Sequence, residues 1–127
     1  MMHGIIENGL HPRLRITLES PTGPIDFKAL FDSGFDGQVA LPYFAADRLR
    51  LEVARFVEVT YANGQKIEEI VCHGEIFWHG EPRTVEIVLS DDDEPAVGTA
   101  LLQGCVVMMD FINNAFSIDS PTQVMGK

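Results

Sequence analysis

The feature that most constrains this chain is a succession of short segments in which apolar and polar residues alternate, each ending in turn-forming residues. Residues 13–19 alternate with a period of two, which is typical of a half-buried strand. Residues 20–24 contain two prolines and a glycine and predict a turn. Further strands are predicted at residues 27–31, 39–41, 56–61, 67–70, 75–78, 83–89, 106–111 and 115–118. This pattern predicts an all-β sandwich or a partly closed barrel.

Two segments depart from the strand pattern. Residues 42–50 space their apolar side chains as a short amphipathic helix does, with Pro42 at a first helical position where its missing N–H costs nothing. Residues 98–103 predict one or two helical turns, which Gly104 ends. The expectation is therefore an all-β chain with one or two short helices. Its 127 residues are expected to form one domain over residues 1–127.

The strongest hairpin signal is Asn63-Gly64, which predicts a type I′ turn because both positions of that turn need positive φ. A second turn is predicted at residues 79–82.

Composition excludes several functional classes. The formal net charge is −10, so the surface repels phosphate backbones and we expect no nucleic-acid partner, whereas neutral or basic peptides are favoured. No apolar run is long enough to suggest a membrane span. The first residues do not resemble a secretory leader, and the two cysteines do not suggest a disulfide framework, so a cytoplasmic protein with free thiols is expected.

One short motif points to chemistry. Asp32-Ser33-Gly34 follows a predicted apolar strand, and its glycine permits a tight turn that presents the carboxylate at a fixed angle. The tripeptide alone is also common in ordinary turns. Its context is more specific, since it precedes an apolar run, then a hairpin with a glycine at its tip, and later the apolar pair and glycine at residues 96–98.

From about residue 13 to residue 118, this order resembles the retropepsin-like aspartic proteases of the small bacterial type. The resemblance implies the closed acid-protease barrel or sandwich. It also implies that Asp32 is the catalytic aspartate and that Ser33 joins the two motif loops across a dimer axis. Gly34 would shape the loop and offer backbone groups to the substrate, and Val97 and Gly98 would pack against it.

The same resemblance implies a flap that closes over a bound peptide. It assigns this role to the hairpin tip formed by Tyr61, Ala62, Asn63 and Gly64. The expected substrate is an extended peptide or protein, and no metal or other cofactor is expected.

A single motif implies two chains. Peptide hydrolysis by carboxylates needs a base that activates water and an acid that protonates the developing oxyanion, and two adjacent carboxylates can share one proton to do both. The sequence contains Asp-Ser-Gly once and no Asp-Thr-Gly. An aspartic endopeptidase of this type must therefore be a homodimer with one Asp32 from each chain.

The resemblance has departures. Many retropepsins carry Arg followed by Asp or Asn after the second glycine, where this chain has Thr99-Ala100. The hydroxyl residue of the motif is Ser rather than Thr, and the flap tip has one glycine. These departures leave a rival interpretation, a catalytically weak or inactive dimeric peptide-binding module of the same fold. A latent domain that acts only on its own precursor or on one partner is a further alternative.

Other groupings have simpler interpretations. Cys72-His73 with His79 matches no zinc spacing and lacks a fourth ligand. Residues 91–94 are all acidic but lack the alternating ligands of a calcium loop, so a solvated loop beside the substrate groove is expected. Asp36 is expected to be a loop residue rather than the partner acid. No Gly-x-Ser-x-Gly elbow is present, and neither cysteine has an electropositive setting, so serine or cysteine hydrolase chemistry is disfavoured.

Overall fold

The computed structural model describes residues 1–60 and 62–120, which form ten strands and one helix. Their bounds in chain order are β1 Met2–Glu7, β2 His11–Leu18, β3 Ile25–Phe31, β4 Val39–Pro42, α1 Tyr43–Leu49, β5 Val53–Thr60, β6 Lys66–Trp78, β7 Glu81–Ser90, β8 Ala96–Val97, β9 Val106–Asp110 and β10 Ala115–Asp119. The all-β prediction with a short helix is confirmed.

The ten strands form one hydrogen-bonded sheet in the order β5-β6-β7-β4-β8-β3-β2-β1-β10-β9. An additional pairing joins β2 to β6 at Leu18 and Ile76. This pairing links the two ends of the series β2, β3, β8, β4, β7 and β6 at one residue pair. Among residues 1–60 and 62–120, the strands β5 and β9 lie at the two ends of the sheet.

The alternation seen in the sequence explains the core. In β2 every second side chain, at Leu14, Ile16 and Leu18, is buried. Ala29 and Phe27 of β3 are the Cα partners of the first two and are buried with them. The apolar face of each strand thus points into a common interior.

The helical segments are shorter than the sequence predicts. Helix α1 covers Tyr43–Leu49, with Pro42 as its N-cap rather than its first residue. Residues 98–102 form turns rather than a helix, because their bonds run from Leu101 N to Gly98 O (3.2 Å) and from Leu102 N to Thr99 O (3.1 Å). Such i→i+3 bonds make a tighter turn than the α-helical i→i+4 bond.

The hairpin prediction needs one correction. At the tip between β5 and β6, Gly64 has positive φ (83°) but Asn63 does not, so the type I′ turn predicted for Asn63-Gly64 is wrong. Thr60 pairs with Lys66, which leaves five residues for the connection and removes the need for two left-handed positions. That backbone pattern occurs instead at the turn between β6 and β7, where His79 (φ 52°) and Gly80 (φ 82°) are both left-handed.

Strands β6, β1 and β8 differ from the prediction, and β8 at Ala96–Val97 was not among the predicted strands. The segments expected at residues 67–70 and 75–78 form one continuous strand, β6, which passes through Gly74. A Cβ on Gly74 would lie 2.5 Å from Ile87 Cδ1. Strand β1 was not predicted at all. Its central Gly4 hides the alternation, and a Cβ there would lie only 2.1 Å from the Arg13 carbonyl oxygen.

Candidate active site

Asp32 lies directly after β3, where the chain leaves the sheet. Phe31, the residue before it, pairs with Val97 of β8, and the backbone N–H of Asp32 donates to the Val97 carbonyl (3.0 Å). Asp32 Oδ1 accepts a hydrogen bond from Gly34 N (2.9 Å), and its carbonyl accepts one from Phe35 N (3.1 Å). The carboxylate is thus exposed to solvent while its orientation is fixed by its own loop.

A second segment crosses this loop. The backbone N–H groups of Gly98 and Thr99 donate to the carbonyls of Gln38 (3.0 Å) and Phe35 (2.9 Å). Thr99 Oγ1 also donates to the Phe35 carbonyl (3.3 Å). Backbone hydrogen bonds therefore connect the loop after β3 to the turn after β8. No arginine follows Gly98, where many retropepsins have one.

Glycine is required at the crossing point. A Cβ on Gly98 would lie 2.3 Å from the carbonyl oxygen of Gly37 and 2.5 Å from that of Phe35. Both contacts are with backbone, which cannot move aside as a flexible side chain can. Val97 before it is fully buried between Phe31 of β3 and Val39 of β4. The structure therefore places Val97 and Gly98 against the Asp32 loop.

Ser33 and Gly34 are exposed beside Asp32. Within the part of the chain that the structure describes, the Ser33 hydroxyl has no hydrogen-bond partner. Its position beside an exposed carboxylate leaves it accessible to a group from outside the chain.

The predicted flap is the hairpin of β5 and β6. Ala62, Asn63 and Gly64 are exposed at its tip, and Asn63 Oδ1 accepts a hydrogen bond from Gln65 N (2.9 Å). Tyr61, the fourth residue predicted for the flap, lies outside the described residues.

One face of this hairpin approaches the Asp32 loop. Val57 of β5 and Glu69 of β6 are Cα partners, as are Arg55 and Val71, and all four share one face because strand side chains alternate. Together with the loop and β7 they line a cavity of about 350 Å³. Its lining residues are Phe35, Asp36, Gly37, Arg55, Val57, Glu69, Val71, Glu86 and Val88.

The lining of the cavity is mixed, with four apolar and four charged side chains. Arg55 binds Glu86 through two hydrogen bonds, of 2.6 Å and 2.8 Å, and this contact lowers the pKa of the Glu86 carboxyl. Asp36 and Glu69 form no ion pair with any other described residue. Asp36 is thus an exposed loop carboxylate that borders the cavity, whereas sequence reasoning treated it only as a loop residue.

Sequence reasoning missed the hairpin side of this cavity. Arg55 and Glu86 belong to strands that are far apart in the chain, and nothing local indicates that they meet. The available signal was the period of two in β5 and β6, which places Arg55 with Val57 and Glu69 with Val71 on shared faces. The sheet order was needed to bring those faces together with β7.

The other groups of residues considered in the sequence, the cysteines with histidines and the acidic loop, form no second site among the described residues. Among residues 1–60 and 62–120, no three His, Cys, Asp or Glu side chains are arranged to hold a metal ion. Cys72 is buried and Cys105 half-buried, both are free, and burial raises the pKa of each thiol, which disfavours a thiolate nucleophile. In the acidic loop, Glu94 pairs with Arg13 of β2. No helix in the described part of the chain is long and apolar enough to cross a membrane.

Comparisons by structure identify the fold. A retropepsin-like aspartic protease from Rickettsia conorii superposes with a TM-score of 0.64 at 16% identity, over 93% of this chain and 88% of that one. The EIAV protease matches with a TM-score of 0.55 at 18% identity, over 76% of this chain and 89% of that one. The fold is retropepsin-like.

A third neighbour agrees with this assignment. The Simian Foamy Virus protease matches with a TM-score of 0.53 at 14% identity, over 71% of this chain and 90% of that one. No family model and no curated protein sequence matches the chain. The retropepsin-like resemblance read from the sequence is therefore confirmed at the level of the fold.

Proposed function

We propose that two copies of this chain form an aspartic endopeptidase, in which one Asp32 from each copy acts on a water molecule and a peptide bond. The observation that supports this most directly is the exposed Asp32 carboxylate at the crossing of two backbone segments in a retropepsin-like fold. A rigid, solvent-exposed carboxylate with an unobstructed side is what a shared dyad requires.

In this mechanism the two carboxylates hold one proton between them. The ionised Asp32 takes a proton from water as the water oxygen attacks the peptide carbonyl carbon. The protonated Asp32 of the other copy donates its proton toward the carbonyl oxygen, which gives a neutral tetrahedral intermediate. Collapse of that intermediate with protonation of the amide nitrogen breaks the C–N bond, without a metal or a covalent enzyme intermediate.

The substrate would be an extended peptide. Its main chain would lie beneath the β5–β6 hairpin as an added strand, with alternate side chains entering cavities such as the one beside Phe35. The valines of that cavity favour apolar substrate groups. The flap role of residues 61–64 is part of this proposal.

If each copy supplies one catalytic Asp32, mixtures of wild type and Asp32→Asn protein should lose activity in a defined proportion. Asp32→Asn protein added to wild type should form mixed dimers that lack one carboxylate. With equal amounts and free exchange, only about a quarter of dimers carry two Asp32 side chains, so cleavage per wild-type chain should fall by about half. Activity that is independent of added Asp32→Asn protein would contradict the shared site.

The second candidate is a dimeric peptide-binding module of the same fold that does not cleave. Thr99-Ala100 in place of an arginine-containing pair favours it, since a charged support of the site is missing. Peptide binding without cleavage by a verified dimer would support this candidate. We also propose a cytoplasmic location, which the two free cysteines favour and which cell fractionation tests.

A further inference from the structure

Two turns of the sheet contain the same reactive dipeptide. Asn8-Gly9 joins β1 to β2, and Asn63-Gly64 lies in the connection between β5 and β6. In such a pair the backbone nitrogen of glycine can attack the side-chain carboxamide carbon of asparagine, Cγ, because glycine has no Cβ to block the approach. The chain therefore presents the same chemistry in two different turns, which can be compared directly.

The reaction consumes only water. The glycine nitrogen forms a bond to Cγ, and its proton leaves with the carboxamide nitrogen as ammonia, which gives a five-membered succinimide. A water molecule then adds to one of the two ring carbonyl carbons, and the bond from that carbon to the ring nitrogen breaks. The product is aspartate or isoaspartate. Either product replaces a neutral amide with a carboxylate, and isoaspartate also adds a methylene group to the main chain.

The turn at Asn8 opposes this reaction. Asn8 (φ 56°) and Gly9 (φ 69°) are both left-handed, as a type I′ turn requires. Leu10 N donates to the Glu7 carbonyl across the turn (3.0 Å), and Glu7 pairs with His11 directly behind it. Because the succinimide ring cannot close while the asparagine keeps its left-handed conformation, this turn must open before Asn8 can react.

The turn at Asn63 imposes less restraint. The last Cα partners of β5 and β6 are Thr60 and Lys66, so five residues form the connection. Asn63 lacks the positive φ of Asn8, and Gly64 is left-handed (φ 83°). Both residues of the dipeptide are exposed, and apart from its two chain neighbours no described residue lies within 4 Å of the Cβ position of Gly64. The main chain around Asn63 can therefore rotate toward ring closure without breaking strand pairs.

The carboxamide of Asn63 also accepts a hydrogen bond that assists the attack. Its Oδ1 accepts from Gln65 N (2.9 Å). When a nitrogen attacks Cγ, negative charge develops on Oδ1, and a backbone donor aimed at this oxygen stabilises that charge. Among the described residues, the side chain of Asn8 has no such donor. The two dipeptides thus differ both in backbone freedom and in activation of the carboxamide.

We propose that Asn63 is a site of spontaneous deamidation, whereas the paired turn protects Asn8. The functional consequence rests on the proposed function, which assigns residues 61–64 to a flap. A new carboxylate, and in isoaspartate a longer main chain, then alters the tip of that flap. Because the reaction is irreversible, peptide cleavage declines as the protein ages.

The first test follows both dipeptides in one sample. The full chain is incubated at neutral pH and physiological temperature and then digested with trypsin, which separates the two dipeptides by cutting after Arg13, Arg55 and Lys66. Mass spectrometry measures the conversion of amide to acid in each peptide. We expect conversion at Asn63 to be at least about tenfold faster than at Asn8. Equal rates, or faster conversion at Asn8, would overturn the inference.

Unfolding the chain provides the matched control. In urea both turns are lost, so the rates at Asn8 and Asn63 should become similar, since each asparagine precedes a glycine. A difference of the same size in urea would show that the neighbouring sequence, rather than the turn, sets the rate. That result would also overturn the inference.

Activity measurements separate the modification from the proposed function. Aged wild type should lose cleavage in proportion to conversion at Asn63. Asn63→Gln, compared with its own fresh sample, should lose less, because attack on glutamine requires a six-membered ring. Conversion at Asn63 with undiminished cleavage would reject the effect on the flap. Fresh protein that cleaves no peptide would reject the proposed protease, while the ratio of conversion at Asn63 and Asn8 still tests the deamidation site.

Discussion

The Asp32 loop and the tip of the β5–β6 hairpin are the two halves of the proposed site, and they are built in opposite ways. The loop is held by backbone bonds from Asp32, Gly98 and Thr99 to neighbouring segments. At the hairpin tip, the Asn63 side chain accepts a bond from Gln65 N, and apart from its two chain neighbours no described residue lies within 4 Å of the Cβ position of Gly64. The Asp32 loop is thus a rigid floor for the proposed site, and the hairpin tip is a loosely held cover. This combination suits a site that must fix a carboxylate and still admit a peptide.

The largest effect that this comparison predicts is at Gly98. In Gly98→Ala the new methyl group would meet two backbone carbonyl oxygens at 2.3 Å and 2.5 Å, so the crossing of the two segments must open. We expect a loss of about 2–3 kcal/mol in the free energy of unfolding, together with loss of cleavage. Urea denaturation measures the first and a peptide assay the second. A variant as stable as wild type would show that the crossing is not rigid.

A smaller effect is predicted for the matched glycine of the hairpin tip. Among the described residues, apart from its two chain neighbours, the methyl group of Gly64→Ala has no contact within 4 Å, and the expected cost arises from φ of +83°. The expected loss of unfolding free energy is about 1 kcal/mol, with the fold retained. Urea denaturation beside Gly98→Ala gives the comparison directly. Equal losses of unfolding free energy in Gly64→Ala and Gly98→Ala would show that the hairpin tip is held as rigidly as the Asp32 loop.

The smallest effect concerns His79 in the turn at the other end of β6, which unlike the tip of the β5–β6 hairpin is half-buried. His79 packs edge-on against Trp78, with ring centroids 5.3 Å apart, and neither ring nitrogen has a hydrogen-bond partner among the described residues. Burial is the main cause that lowers the pKa of His79 from 6.5, the Met1 amino group adds to this, and Asp119 opposes it.

The lowered pKa of His79 makes the folded protein less stable at acidic pH. Since the unfolded chain binds the proton more readily, stability should be complete above about pH 6.5 and should fall as the pH drops toward the lowered folded value. His79→Asn keeps a residue that tolerates positive φ and removes the titration. Urea midpoints at neutral and acidic pH should therefore differ less in the variant. The same pH dependence in both proteins would exclude His79 as a cause.

The sequence alone predicted more of the Asp32 loop than of the β5–β6 hairpin side of the site. Asp32, Val97 and Gly98 stand out because a carboxylate after an apolar strand and a glycine after another are local patterns. The cavity formed by Arg55, Glu86 and the loop depends on sheet order, which local periodicity does not contain. Strand β1 was missed because Gly4 interrupts the alternation, although its close approach to Arg13 is what makes that glycine necessary.

The most direct test of the central claim compares wild type with Asp32→Asn on a diverse peptide library across about pH 4 to 7.5, at concentrations where sedimentation shows a dimer. Asp47→Asn, which removes an exposed carboxylate of α1, is the matched control. Cleavage should fall at least about a hundredfold in Asp32→Asn and remain unchanged in Asp47→Asn. Undiminished cleavage by dimeric Asp32→Asn would contradict a carboxylate dyad built from two copies of this chain.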